Sequence, residues 1–146
     1  MIEALKQSNQ LLLDLVATIP EEKGAYRYQP EKWSIKELLC HMMDAERIFA
    51  YRALRFARND KTPLHGFEEN DYAPEANAHA RSVKQIAVEI KNLRASTIDL
   101  FASFNGQMLA RTGTANNVAL PVLNLGYIIA GHETHHRNVL TDRYLK

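Results

Sequence analysis

His132 and His136 lie four residues apart in the stretch Gly131-His132-Glu133-Thr134-His135-His136. On a helix that spacing turns both imidazoles to one face. A third histidine, His41, lies far upstream in Glu37-Leu38-Leu39-Cys40-His41-Met42-Met43-Asp44. Two neutral imidazoles from one helix and a third from another can hold a divalent metal and leave coordination positions open. Open positions belong to working metals, because a substrate or water must reach the ion. The flanking pattern aims the pair inward: Leu125, Ile128, Ile129, Val139 and Leu140 trace an apolar stripe that contains His132 and His136. Burying one unsatisfied polar group costs roughly 1–3 kcal/mol. Two adjacent buried rings therefore need a shared partner, and a metal is a natural one.

His41 sits at the edge of its own helix's apolar stripe, beside Leu38 and Ala45. Glu37 and Asp44, one turn to either side, are placed to accept its second N–H, which would fix the tautomer of a metal-bound ring. His135 competes with His136, since it also shares a face with His132; the apolar neighbours Ile129, Val139 and Leu140 favour His136. Asp44 and Glu133 are the candidate catalytic proton carriers, although Glu133 falls with Thr134, Arg137 and Thr141 on the flank or far side of the stripe. Cys40 points about 100° away from His41, which makes it a small buried hydrophobe rather than a ligand. The string His132-Glu133-Thr134-His135-His136 also fits the H-E-x-x-H metalloprotease helix. Only ten residues follow His136, and no edge strand is visible to hold a peptide, so a protease is disfavoured.

Four helices must position these groups. The apolar spacing predicts helices over roughly 2–18, 34–58, 81–104 and 121–145. Ser34-Ile35-Lys36-Glu37 is a capping box that starts the second, with Trp33 before it as a hydrophobic staple toward Leu38. Val83, Ile86, Ile90, Leu93, Thr97, Leu100 and Phe104 form the stripe of the third. Pro121 suits the first turn of the fourth, where its missing N–H costs nothing. Residues 60–80 read as one long loop and Arg111–Asn117 as a polar loop; loops as long as the first are often functional, and Phe67 and Tyr72 are placed to wall a substrate. With no convincing strand, the expected fold is all-α, a single four-helix-bundle domain over residues 1–146. The second and third connections are long enough for a topology other than strict up-and-down neighbours.

Composition narrows the function classes. The chain is 46% hydrophobic and 24% charged with a net charge of +1. It has no basic run, which argues against a general nucleic-acid binder. A lone cysteine excludes an internal disulfide. No apolar run approaches the roughly 20 residues that span a bilayer, and the first residues lack a secretory pattern. The expectation is a cytoplasmic protein with a small-molecule substrate and no nucleic-acid or membrane partner.

Over nearly its whole length the chain resembles the DinB-like, or DinB/YfiT-like, family. The resemblance is carried by Trp33-Ser34, by His41-Met42-Met43-Asp44-Ala45-Glu46-Arg47, by Tyr51-Arg52, by Gly131-His132-Glu133 with His135-His136, and by the closing Arg143-Tyr144-Leu145. It implies a four-helix bundle, often a homodimer, with a three-histidine site for zinc or nickel. Carried over residue by residue, the metal ligands are His41, His132 and His136. Characterised relatives include S-transferases that use bacillithiol or mycothiol and a mycothiol-dependent maleylpyruvate isomerase. The leading expectation is therefore transfer of a low-molecular-weight thiol cosubstrate to a small electrophile. Arg52, Arg55 and Arg137 are candidates for contacting the thiol, each also readable as a solvated surface arginine. The alternatives are a metal-dependent hydrolase using bound water and a non-catalytic dimerising bundle. One fold hosts several chemistries, so the substrate is not fixed by family.

Overall fold

The computed structural model describes residues 1–146. Four long helices carry the architecture: α1 (Ile2–Val16), α2 (Ile35–Ala57), α4 (Val83–Ala102) and α6 (Val122–Val139), with two short helices, α3 (Glu69–Glu75) and α5 (Gly106–Ala110), in the connections. The capping box of α2 is formed: the Glu37 N–H donates to Ser34 Oγ, and the Ser34 N–H donates to the Glu37 carboxylate at 2.7 Å. A second box, Ser82 with Gln85, starts α4 two residues later than its apolar pattern suggests.

The connections hold more structure than their polar composition indicates. Within 60–80 the chain forms α3 and a 3-10 turn at Ala78–Ala80. The supposed polar loop at Arg111–Asn117 opens an antiparallel hairpin, β1 (Thr112–Ala115) with β2 (Val118–Pro121). Its two turn residues, Asn116 and Asn117, both have positive φ, 49° and 62°, the backbone that a two-residue type I′ turn demands and that asparagine tolerates. The Asn-Asn pair is the one local signal of these strands. Gly113 in β1 has no substitute, because a Cβ there would stand 2.0 Å from the Phe56 ring. Pro121 caps α6 instead of occupying its first turn, and α6 ends in a π-helical turn, Leu140–Tyr144. No helix is long and apolar enough to cross a membrane.

α1 packs against α4 and α6, and α2 packs against the same two. The first two helices in sequence are thus diagonal to each other, so even the first connection crosses the bundle end. The core divides into two apolar clusters. One joins Leu12, Val16, Ile35, Leu39, Ile86, Ile90 and Leu140; the other joins Leu5, Ala53, Phe56, Phe101, Val122, Leu125 and Ile129.

Between them lies a buried charged layer. Arg94 of α4, only 2% exposed, forks onto Glu46 of α2 through Nε and Nη2, both at 2.9 Å. Its Nη1 donates to Glu133 of α6 at 2.7 Å and to the Leu5 carbonyl of α1 at 2.7 Å. Ser8 and Asn9 of α1 donate to the same Glu133 carboxylate at 2.5 and 3.0 Å. Burial alone would lower the Arg94 pKa; the two carboxylates more than reverse that and hold it above the ordinary arginine value. Three side chains depart from the faces their spacing predicts. Arg94 holds the centre of the α4 stripe while Leu93 and Leu100 are only half-buried, and Glu133 faces the interior instead of the flank. Ile128, expected inside, is exposed.

Arg94→Met should destabilise the protein by about 3–5 kcal/mol, because it strands two buried carboxylates. Replacing Glu46 and Glu133 by Leu in the same chain should return much of that loss. Urea denaturation of the single and triple variants measures both; equal stability of Arg94→Met and the parent would contradict the role given to this layer.

Candidate metal centre

One helical turn from the charged layer, α2 and α6 face each other with their histidines. His41 is almost fully buried; His132 and His136 are half-buried. The Nε2 atom of His132 lies 3.1 Å from Nε2 of His41 and 3.1 Å from Nε2 of His136. One nitrogen from each ring fits within a set whose members are all within 4.8 Å of one another. The rings hold this arrangement edge to face, with centroids 5.0 Å apart for His41 and His132 and 4.4 Å for His132 and His136. Trp33, just before the α2 cap, leans over His41 at 4.6 Å, and Phe49 backs His132 at 6.1 Å.

Burial is the main force on their titration. It pushes His41 and His132 down to about 4 and His136 to about 3, with the neighbouring rings adding to the last two shifts. All three are therefore neutral at pH 7 and carry lone pairs. Three neutral rings satisfy one another poorly, because each has a single N–H to give. A cation serves all three lone pairs at once. Tetrahedral coordination with bonds of roughly 2.0–2.1 Å places ligand nitrogens about 3.3 Å apart, close to the two separations seen. The residues fit a divalent ion.

The structure brings His41, His132 and His136 together and leaves His135 exposed, outside the cluster. Neither acidic neighbour of His41 bonds its second nitrogen. Glu37 is engaged by the Ser34 N–H and by Arg27, and Asp44, partly exposed, has Arg47 at 3.7 Å. Burial raises the Asp44 pKa, an effect that Arg47 opposes. Glu133 follows His132 in sequence but points into the charged layer, with both oxygens engaged. His136 Nδ1 is buried with no partner. Cys40 is buried as expected, and Arg81 donates to its sulfur at 2.8 Å. The place of Trp33 against His41 is a tertiary contact for which the sequence carries no local signal beyond the staple position.

A cleft of about 290 Å³ opens beside the cluster. Trp33, Tyr28, Tyr144 and Leu38 wall it, His136 reaches it from the cluster, and His135, Glu31 and Lys32 supply its polar groups. From the 60–80 segment only Asn70 contributes; Phe67 and Tyr72, expected at the substrate side, face a different cleft.

The family model of the DinB superfamily matches residues 4–140. Among solved structures the chain is similar to YfiT from Bacillus subtilis, described as a probable metal-dependent hydrolase with an unusual four-helix bundle topology. The two superpose with a TM-score of 0.84 at 14% identity, covering 97% of this chain and 82% of that one. No curated protein sequence matches the chain.

Protein loaded with zinc and passed through a desalting column should retain about one ion per chain. His41→Ala and His136→Ala should each retain almost none, as read by elemental analysis. In metal-free protein the histidines also set a pH dependence. Their folded pKa values lie below the ordinary 6.5, so the unfolded chain takes up protons first as pH falls. The stability they permit is complete above about 6.5 and drains away toward about 4. Calorimetry after chelation should show the melting temperature falling by several degrees from pH 7.5 to pH 5, and falling less in His132→Phe. A flat profile would rule this out.

Proposed function

Because the chain belongs to the DinB superfamily, we propose that it is a metal-dependent enzyme that transfers a low-molecular-weight thiol to a small electrophile, with His41, His132 and His136 holding the ion. The observation that carries this reading is the convergence of three neutral imidazole nitrogens beside an open, aromatic-walled cleft. When bound, zinc or nickel would supply a +2 charge undiminished by its ligands, which lowers the pKa of a thiol or a water. The chain's own groups do the rest. Trp33 stacks near His41 and limits how that ring can turn. Tyr28, Tyr144 and Leu38 exclude water from one side of a small substrate. His135, at the exposed rim, can accept the proton that the thiol loses before the sulfur attacks; the sulfur–carbon bond then forms as the leaving group departs with the electron pair of the broken bond. Thiol transfer needs no buried carboxylate base, which suits a site where Glu133 is already committed to Arg94.

Hydrolysis is the second reading, favoured by the likeness to YfiT and its description. Here the nucleophile is water, and His135 or Glu31 of the cleft would move its proton.

The two separate in one assay. Zinc- or nickel-loaded protein is mixed with a fluorogenic electrophile, with and without bacillithiol, mycothiol or glutathione, and separately with small esters and amides. The expected result is thiol-dependent turnover that falls by about 100-fold or more in His41→Ala. Turnover of esters or amides without thiol would move the assignment to hydrolysis. No turnover in any arm by metal-loaded protein would remove both chemistries.

A further inference from the structure

A second cleft, of about 460 Å³, lies between the C-terminal half of α2 and the segment 62–72. Arg52 faces it and is more than nine-tenths buried. The fold buries three cations, and it treats this one differently. Arg94 has two glutamates, and Lys36 has Glu21 at 2.6 Å. Arg52 has no carboxylate within ion-pair reach; its one hydrogen bond runs from Nη2 to the His65 carbonyl at 3.0 Å. A buried, unpaired guanidinium is costly, since breaking such a pair leaves a desolvated charge. Its pKa is correspondingly lowered by burial.

The rest of the lining shows what would relieve that cost. No Asp or Glu lines the cleft. Arg55, also on the wall, is neutralised by Asp60 and bonds the Tyr51 hydroxyl, so Arg52 is the free positive charge there. Opposite it stand Phe67 and Tyr72, whose rings pack together with centroids 5.3 Å apart. The volume falls in the range of small-molecule sites, mostly apolar with few polar anchors.

We propose that this cleft binds a small organic anion, with its carboxylate or phosphate held on the fork of Arg52 and its apolar body against Phe67 and Tyr72. The site requires no metal, so it stands or falls apart from the chemistry proposed above. A single ring separates the two: the Arg52 guanidinium lies 5.7 Å from the centre of Phe49, and Phe49 backs His132. The anion is either a separate ligand or the charged end of a molecule whose other end reaches the histidines.

The test is NMR titration of isotope-labelled, metal-free protein with benzoate, inorganic phosphate and the uncharged benzamide. Benzoate and phosphate should move the Arg52 Nε–H resonance saturably, benzoate should also shift Phe67 and Tyr72, and benzamide should do neither. Arg52→Gln should lower benzoate affinity about ten-fold while melting as the parent does. Repeating the titration with zinc distinguishes the sources: unchanged affinity marks a separate ligand, and a changed one marks coupling to the metal centre. An Arg52 resonance that stays still with both anions at about 20 mM overturns the proposal, whatever the variants do. So does a folded Arg52→Gln protein that binds benzoate as tightly as the parent.

Discussion

A guanidinium cannot be buried alone, and the bundle is arranged around that fact. Arg94 enters the core from α4 and must find acceptors for its donors without water. Glu46 of α2, Glu133 of α6 and the Leu5 carbonyl of α1 supply them. Apolar contacts tolerate sliding by a fraction of a turn, whereas a forked ion pair does not. The layer therefore fixes the register of α2 and α6 against α4 between two clusters that are otherwise plain hydrocarbon. A buried ion pair is weak evidence for added stability, because its desolvation cost is large. Its use here is positional.

The histidine cluster inherits that register. His132 directly precedes Glu133, and His136 follows it by three residues. His41 precedes Glu46 by five, roughly 7.5 Å along α2. Once Glu46 and Glu133 are clamped to one arginine, the spacings bring three rings to one level and leave little freedom in how they meet. Trp33 and Phe49 then flank the cluster, which stays open toward the cleft at His136. The order is hierarchical: helix periodicity chooses the faces, the charged layer chooses the register, and aromatic packing chooses the ring orientation.

That hierarchy explains what could be read from the chain. Faces are local, so the helices, the Ser34 capping box and the inward aim of His132 and His136 follow from spacing. The apolar neighbours Ile129, Val139 and Leu140 favour His136 over His135, and His136 is the ring that meets His41 and His132. Register is not local. Nothing near Arg94 in sequence says that it replaces Leu93 at the centre of the stripe, since its partners are 48 and 39 residues away. Glu133 was misplaced for the same reason: a carboxylate beside a metal-type histidine reads as a proton carrier until the distant arginine is known. The hairpin escaped notice because four-residue strands give little alternation, and only the Asn116-Asn117 turn betrayed it. Arg52 looked like a solvated surface residue because the loop that covers it has no pattern of its own.

The charged layer also bears on what the histidines can hold. One arginine and two glutamates leave a formal charge of −1 buried beside the cluster, and Glu46 is close enough to favour positive charge on His132. For a proton that attraction loses to desolvation, which keeps the ring neutral near pH 7. A divalent ion is a different case. It would meet three lone pairs at once, which a shared proton cannot do, and Glu46 would attract its double charge more strongly than a proton's. Burial strips the rings of protons; it also makes any cation costly to desolvate, so the bonds to three lone pairs, more than the low dielectric, would have to hold an ion there. A site made only of solvent-exposed histidines would lack that advantage, because its rings would take up protons near their ordinary pKa of about 6.5 and lose their lone pairs as the pH falls.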